Sequence, residues 1–153
     1  MTPQLSVRAA VLGDVPRLCR MLEAFNRLEQ IEWDEAVGAP ALRRLIDDAS
    51  LGFVGMVEID SLAAGYFIVT WGFDLEWGGR DSFLTDLYLE PEARGAGIGA
   101  RVLASIEEVA RAGGAAALHL MVRPENEPAV RLYHRAGFRS PPRTLLSKPL
   151  RRP

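Results

Sequence analysis

The stretch Asp86-Leu87-Tyr88-Leu89-Glu90-Pro91-Glu92-Ala93-Arg94-Gly95-Ala96-Gly97-Ile98-Gly99 carries the most chemistry in this chain. A strand-like run leads through a proline-bearing loop to a basic residue. Three alternate glycines then open a long helical pattern. Glycines let a backbone approach a ligand closely, and the first-turn N–H groups of a helix have no partner within it. The helix dipole and the full charge of Arg94 add positive potential. The chemistry this arrangement suits is the holding of a phosphate or pyrophosphate. A Walker A loop is excluded, because it needs a Gly-Lys-Ser/Thr step and the only lysine is Lys148. A dinucleotide loop is matched superficially by Gly95, Gly97 and Ala100. Its glycines do not follow the strand directly, however, and residues 115–122 offer no acid for a ribose.

Positioning such a loop takes a folded domain, and the composition allows one. The chain has 153 residues, 48% hydrophobic and 25% charged, which fits one globular domain over 1–153. Lys plus Arg is 18 and Asp plus Glu is 20, for a net charge of −2. That is not the basic footprint of a nucleic-acid binder, so no nucleic-acid partner is expected. Cys19 is the only cysteine, which excludes an intrachain disulfide, a Cys-based zinc site and a redox pair. It falls in a helical pattern and reads as a small core residue. His119 and His134 are too few for most His-rich metal sites, so no metal is expected. No apolar run approaches the ~20 residues of a membrane span, and the N-terminus lacks the pattern of a signal peptide. A cytoplasmic setting without a membrane partner is the expectation.

The order of elements follows from periodicity and punctuation. Residues 5–9 read as a strand. Gly13-Asp14 then caps a helix with Val15, Leu18, Leu22 and Phe25 on one face. Pro40 suits the first turn of a second helix running to about Asp48. Residues 52–59 and 62–71 read as strands joined at Asp60-Ser61, and Gly78-Gly79 marks a further turn. Residues 82–89 form the next strand, 98–112 a long helix closed by Gly113-Gly114, 117–122 a strand, and 127–136 a helix ended by Gly137. Residues 144–148 are expected as a last strand. Antiparallel hairpins first and a strand–helix–strand crossover later define a mixed α/β (α+β) domain, not a doubly wound parallel sheet.

Arg94-Gly95-Ala96-Gly97-Ile98-Gly99 resembles the R/Q-x-x-G-x-G/A signature of the GNAT superfamily of acetyl-CoA-dependent N-acetyltransferases. A second block, Asn126 through Ala129, Leu132-Tyr133 and Gly137-Phe138, is similar to the family's N-x-x-A-x-x-L-Y-x-x-x-G-F pattern. The resemblance covers residues 85–138. It implies the acyl-CoA N-acyltransferase fold, a mostly antiparallel mixed sheet flanked by helices, with acetyl-CoA as cofactor and acetyl transfer to an amine as the reaction. By the same resemblance the coenzyme pyrophosphate lies on Gly95, Ala96, Gly97, Ile98, Gly99 and Ala100 beside Arg94. Leu87, Tyr88 and Leu89 offer backbone groups to the pantetheine amides, as an added pseudo-strand. An N–H near Leu87 or Tyr88 can stabilise the charge that grows on the thioester carbonyl.

The leaving thiolate needs a donor, and Tyr133 matches the tyrosine that acts as general acid in many relatives; its other reading is an aromatic packing residue. Asn126, with Pro128 and Ala129, fits a cofactor contact or equally the cap of the last helix. The attacking ammonium must lose a proton. Asp86, which alternates with Leu84 and Tyr88 and so shares their face, is the best-placed carboxylate; its other reading is a solvated or salt-bridged strand acid. His119 is expected to be a satisfied sheet residue and His134 an exposed helix position.

The acceptor is the least legible part. Glu29, Glu32, Asp34 and Glu35 crowd the connection between the first two helices with no base among them, and Trp33 sits in their midst. Trp71, Phe73 and Trp77 accompany Asp74 and Glu76. If these share a cleft, Glu29, Glu32 and Trp33 would bind a small-molecule cationic amine by ion pairing and cation–π contact. Otherwise the acids are a solvated loop and the tryptophans are core. The Asn126-Glu127-Pro128 run is similar to the diamine and polyamine branch, which carries Glu-Asp where this chain has Thr85-Asp86. Direct transfer in a ternary complex is expected, because Cys19 gives no support for an acetyl-enzyme. Rival readings are acetylation of a protein or peptide amine and a coenzyme A-binding module without turnover. Many relatives form homodimers, and exposed tryptophans could serve such an interface.

Overall fold

The computed structural model describes residues 2–151, in two compact units that divide between Met121 and Val122. The first unit is built on a five-stranded sheet in the order β1-β2-β3-β4-β5. Its strands are β1 (Leu5–Ala9), β2 (Gly52–Ile59), β3 (Leu62–Asp74), β4 (Gly79–Leu89) and β5 (Leu118–Leu120). Neighbours from β1 to β4 pair antiparallel, and β5 joins β4 parallel after a helical crossover. This is the mixed α/β architecture that the order of elements implied.

Three helices cover the sheet: α1 (Val15–Glu29), α2 (Glu35–Asp47) and α3 (Ile98–Ala112). One face of the sheet presents Val54, Met56, Tyr66, Ile68 and Tyr88 to Leu18, Cys19, Met21 and Leu22 of α1 and Leu42 of α2. Cys19 is buried in this layer, and burial raises its thiol above its ordinary value. Phe67, Val69 and Leu84 turn to the opposite face, where α3 packs across β1 and β3 and buries Ile98, Val102, Leu103, Ile106 and Ala110. Burying such side chains contributes about 1.5–3 kcal/mol each.

Several expectations need correction. Asp14 stands at the N-cap of α1 as expected, but its side chain accepts no helix N–H. Its carboxylate turns back to accept from the Val11 N–H at 2.8 Å and from Arg8 Nη1 and Nη2 at 2.8 and 2.9 Å, closing a short 3₁₀ turn over Leu12–Asp14. A full positive charge on the neighbouring strand outcompetes a helix N–H. The second helix starts at Glu35, not near Pro40. Asp34 is its N-cap and accepts from the Ala36 N–H at 2.9 Å. Trp33, just before the cap, lays its ring on Gly38 four residues beyond it, where any side chain would collide. Cap and staple together start the helix upstream, and Pro40 is carried inside it.

The β3–β4 hairpin runs further toward its turn than expected, to Asp74 and from Gly79, where Asp74 caps a 3₁₀ turn over Leu75–Trp77 and accepts from the Glu76 N–H. Residues 144–148 form no strand and are exposed. Pro141, Pro142 and Pro149 bracket them and cannot donate to a ladder.

The second unit contains one helix, α4 (Glu127–Arg135). Its end is a Schellman turn: Gly137, at φ +97°, donates to His134 O and Phe138 donates to Tyr133 O, both at 3.0 Å.

Asp34→Ala is expected to lower the unfolding free energy by about 1 kcal/mol, the usual cost of an N-cap. Urea denaturation would measure it, and an unchanged midpoint would remove Asp34 as the start of α2.

Candidate active site

β4 changes character halfway along. Ser82, Phe83 and Leu84 pair with Leu118, His119 and Leu120 of β5, and beyond Leu84 that ladder stops. On the other side β4 stays paired with β3 as far as Leu89. Residues 85–89 therefore have one open edge, with no ladder partner among the described residues. Glu90 donates to Ala64 O on the β3 side at 2.8 Å. Strand alternation then points Tyr88 toward β3 as well, and aims the backbone groups of Leu87 and Leu89 at the open edge. Of Leu87 and Tyr88, it is Leu87 whose N–H is placed to meet a ligand.

A β-bulge at Thr85 sits at the same place. Val69 pairs with Leu84 and Ile68 with Asp86, leaving Thr85 as the extra residue. This overturns the expectation that Leu84, Asp86 and Tyr88 share a face. The bulge sends Leu84 to the α3 side, and Asp86 and Tyr88 to the side of α1 and α2. Plain period-two alternation cannot see a bulge.

On that side Asp86 enters a chain of polar and aromatic groups. Tyr66, fully buried, donates from its hydroxyl to Asp86 Oδ2 at 2.9 Å. The Tyr66 ring lies 6.4 Å edge-on from Phe25 of α1 and 6.1 Å from the Tyr88 ring. The Tyr88 hydroxyl donates to Glu90 Oε2 at 3.1 Å, and the Arg94 guanidinium sits 5.6 Å over the Tyr88 ring. Arg94 Nε donates to Leu89 O at 2.9 Å, so the arginine is anchored at the end of the open edge. Burial pushes the Asp86 carboxyl up from the ordinary carboxylate range, and the hydrogen bonds from Tyr66 and Thr85 oppose that shift. Glu29, at the end of α1, pushes the same way as burial.

The loop beyond Arg94 has three consecutive left-handed residues: Gly95 at φ +88°, Ala96 at +50° and Gly97 at +75°. A Cβ at Gly95 or Gly97 would meet nothing, so glycine serves the backbone conformation and not the space around it. Ala96 holds the same region at a steric cost. This left-handed turn leads directly into the start of α3, where the helix dipole and the free first-turn N–H groups suit an anion. Ile98 departs from this role, since its N–H donates to Gly95 O at 3.1 Å and its side chain is buried. Gly99 and Ala100 fall in the first turn of α3, where the N–H groups have no intrahelical acceptor.

The acidic connection is partly spent on structure. Asp34 caps α2, Glu35 lies in its first turn, and Trp33 packs on Gly38. Glu32 is exposed. Glu29 alone of this segment is coupled to Asp86. The tryptophans do not gather. Trp71 donates from Nε1 to Ala49 O at 3.0 Å beneath Arg80, and Trp77 lies 5.8 Å from the His119 ring. His119 itself sits 3.0 Å from Asp81 Oδ2. No group of three or more potential metal-ligating side chains occurs among the described residues.

In the second unit Asn126 is the N-cap of α4, its side chain accepting from the Ala129 N–H at 3.3 Å, with Pro128 in the first turn. The Tyr133 ring meets Phe138 edge-on at 5.8 Å, the apolar contact that accompanies the Schellman turn. Tyr66 is the residue that sequence reading passed over. It stands in the apolar run of β3, and only the strand register shows that it is diagonal to Asp86.

A mixed sheet with an open strand edge running into a glycine loop at a helix start is an architecture suited to an extended, phosphate-bearing ligand. The acetyltransferase (GNAT) family model matches residues 18–138, and the chain belongs to that family. Thialysine N-epsilon-acetyltransferase of Mus musculus is 36% identical over 138 residues, covering 85% of this chain and 79% of that protein. An integron cassette protein from the mobile metagenome of Cole Harbour Salt Marsh shares the fold with a TM-score of 0.83 at 31% identity, over 96% of this chain and 91% of that one. An aminoglycoside N-acetyltransferase solved in complex with CoA has a TM-score of 0.82 at 12% identity, over 98% and 97% of the two chains.

The raised Asp86 carboxyl predicts a signed pH dependence. The folded state holds this proton to higher pH than the unfolded chain, whose carboxyl titrates near ~3.9. Stability from this group therefore falls as pH rises above that value, until Asp86 is ionised in the fold. Asp86→Asn removes the dependence. Relative to wild type, the variant should gain stability between pH 4 and pH 7 in urea titrations. A wild-type-to-variant difference that stays constant with pH would contradict the assignment.

Proposed function

We propose that this protein transfers the acetyl group of acetyl-CoA to the primary amine of a small cationic metabolite, by direct attack in a ternary complex. The observation that carries the proposal is the continuity of three features: the open edge of β4, the left-handed turn at residues 95–97 leading into the start of α3, and Asp86 turned to the α1 side of the same strand. These residues fit the cofactor, since an extended amide-bearing arm suits the backbone groups of Leu87 and Leu89. A pyrophosphate likewise suits the glycine loop and the first turn of α3 beside Arg94. Bound there, acetyl-CoA supplies the acetyl thioester.

Each demand of the reaction then has a residue. The Leu87 N–H, at the open edge, would donate to the thioester carbonyl on which negative charge develops, an effect worth roughly 3–4 kcal/mol for one well-placed donor. Asp86 takes the ammonium proton, directly or through water. Its raised proton affinity suits that task better than an ordinary carboxylate would. Tyr133 is assigned on the family motif alone, and would supply the proton to the departing sulfur. Glu29 adds negative charge on the acceptor side; Glu32 and Trp33 are assigned there with it. An amine acceptor is also supported by the thialysine acetyltransferase at 36% identity.

Thiol release from acetyl-CoA, measured against polyamines, lysine analogues, aminoglycosides and short peptides, should show turnover with the small cationic amines. Turnover with peptides alone would replace that acceptor class. Silence with every amine, together with retained acetyl-CoA binding, would favour a module without turnover. Tyr133→Phe should lose about 10²–10⁴-fold in kcat with cofactor affinity kept; wild-type turnover in that variant would remove Tyr133 from the mechanism. Arg94→Ala should weaken acetyl-CoA binding and flatten its dependence on salt. An unchanged Kd would dismiss the phosphate-loop assignment.

A further inference from the structure

We propose that Tyr66 is a positioning residue: its buried hydroxyl holds the Asp86 carboxylate by Oδ2, so that Asp86 stays aimed and ionised as the proton acceptor. This rests on the reading of Asp86 given above. Tyr66 is on β3, outside the glycine loop and outside both motif blocks, and no part of the proposed transfer otherwise uses it.

The geometry carries the proposal. Tyr66 pairs with Tyr88 and Asp86 with Ile68, so Tyr66 and Asp86 are diagonal neighbours on one face of the β3–β4 ladder. The bulge at Thr85 creates that diagonal. Without it, residues 86 and 88 would share the face of Leu84, away from Tyr66. The Tyr66 ring is 0% exposed and clamped between Phe25 and Tyr88. A phenol held in this way has little freedom to leave its acceptor, 2.9 Å away. A buried hydroxyl needs a partner, and Asp86 is the one it has.

The direction of the hydrogen bond matters chemically. A phenol donating to a carboxylate favours the ionised carboxylate, and ionisation is what a proton acceptor requires. The groups facing this pair are Glu29 from α1, Tyr88 and Thr85 from β4, and the apolar edge of Phe25. Burial and Glu29 both favour the protonated carboxyl; Tyr66 and Thr85 oppose them. The Tyr66 phenol is itself driven well above its ordinary value by burial and by Asp86, so it remains a donor throughout the working pH range and does not compete for the proton.

Tyr66→Phe keeps the ring and deletes the donor. The Asp86 titration midpoint, followed by its carbon-13 carboxyl shift, should rise by about one pH unit, the tenfold change expected for losing one charge-assisted hydrogen bond. The acid limb of kcat/KM should move with it, while the KM for acetyl-CoA holds. In an Asp86→Asn background Tyr66→Phe should add nothing to the loss of rate. An unmoved midpoint and limb, or losses that simply add, would overturn the positioning role. Loss of turnover in Asp86→Asn together with an unmoved limb in Tyr66→Phe overturns this role alone. Full turnover in Asp86→Asn removes the proton-acceptor reading and this role with it. If Tyr66→Phe fails to fold, 3-fluorotyrosine at position 66 provides the same test in the opposite sense. Its more acidic hydroxyl should lower the Asp86 midpoint, and an unchanged midpoint would overturn the proposal.

Discussion

One extra residue in β4 sets the terms for everything around it. A strand has two faces and a period of two, so an inserted residue exchanges the faces downstream of it. Here Thr85 is that residue. Upstream, Leu84 belongs to the layer under α3; downstream, Asp86 and Tyr88 belong to the layer under α1 and α2. At the same point β5 stops pairing with β4. A single local irregularity thus turns a carboxylate into the helix layer and marks where the strand edge opens. The two features of the candidate site, one from the β3–β4 ladder and one from the end of the β4–β5 ladder, meet at the same point of β4.

The remaining structure stabilises that break. The long β3–β4 ladder continues on the far side of the bulge to Leu89, so β4 keeps its place after losing β5. Phe25 from α1 and the Tyr66–Tyr88 ring pair fill the space under the bulge, and Tyr66 meets the polar demand of Asp86. Arg94 ties the loop to the strand end through Leu89 O and the Tyr88 ring. The loop at residues 95–97 is held from both sides. Arg94 anchors it to the sheet, and Ile98 anchors it to α3 through a buried side chain and its bond to Gly95 O. Rigid support on both sides preorganises donors that face a ligand.

The acidic connection shows how one residue type divides into separate duties. Sequence alone presents Glu29, Glu32, Asp34 and Glu35 as one patch. In the fold Asp34 and Glu35 serve the start of α2, Glu32 stands in solvent, and Glu29 is the member whose charge reaches Asp86. Trp33 likewise sits on Gly38 as a staple, and Trp71 and Trp77 pack elsewhere. Local competition for hydrogen-bond donors and for apolar contact sorts the patch, because an uncapped helix start is costly and the Trp33 ring gains apolar contact on Gly38.

Much of this protein is legible from local rules. The glycine loop, the anion-binding character of residues 94–100, the strand and helix order and the mixed sheet all follow from residue type and spacing, because backbone conformation at glycine and the period of apolar residues are local properties. The start of α2 was equally local, with a capping aspartate in plain view, but Pro40 offered a rival signal. The bulge at Thr85, the diagonal between Tyr66 and Asp86, and the orientation of Leu87 rather than Tyr88 toward the open edge depend on strand register. Register is a property of two chain segments far apart in sequence. No spacing within one strand encodes which residue of another strand lies opposite, and the burial that shifts Asp86 exists only once α1, β3 and β4 have closed around it.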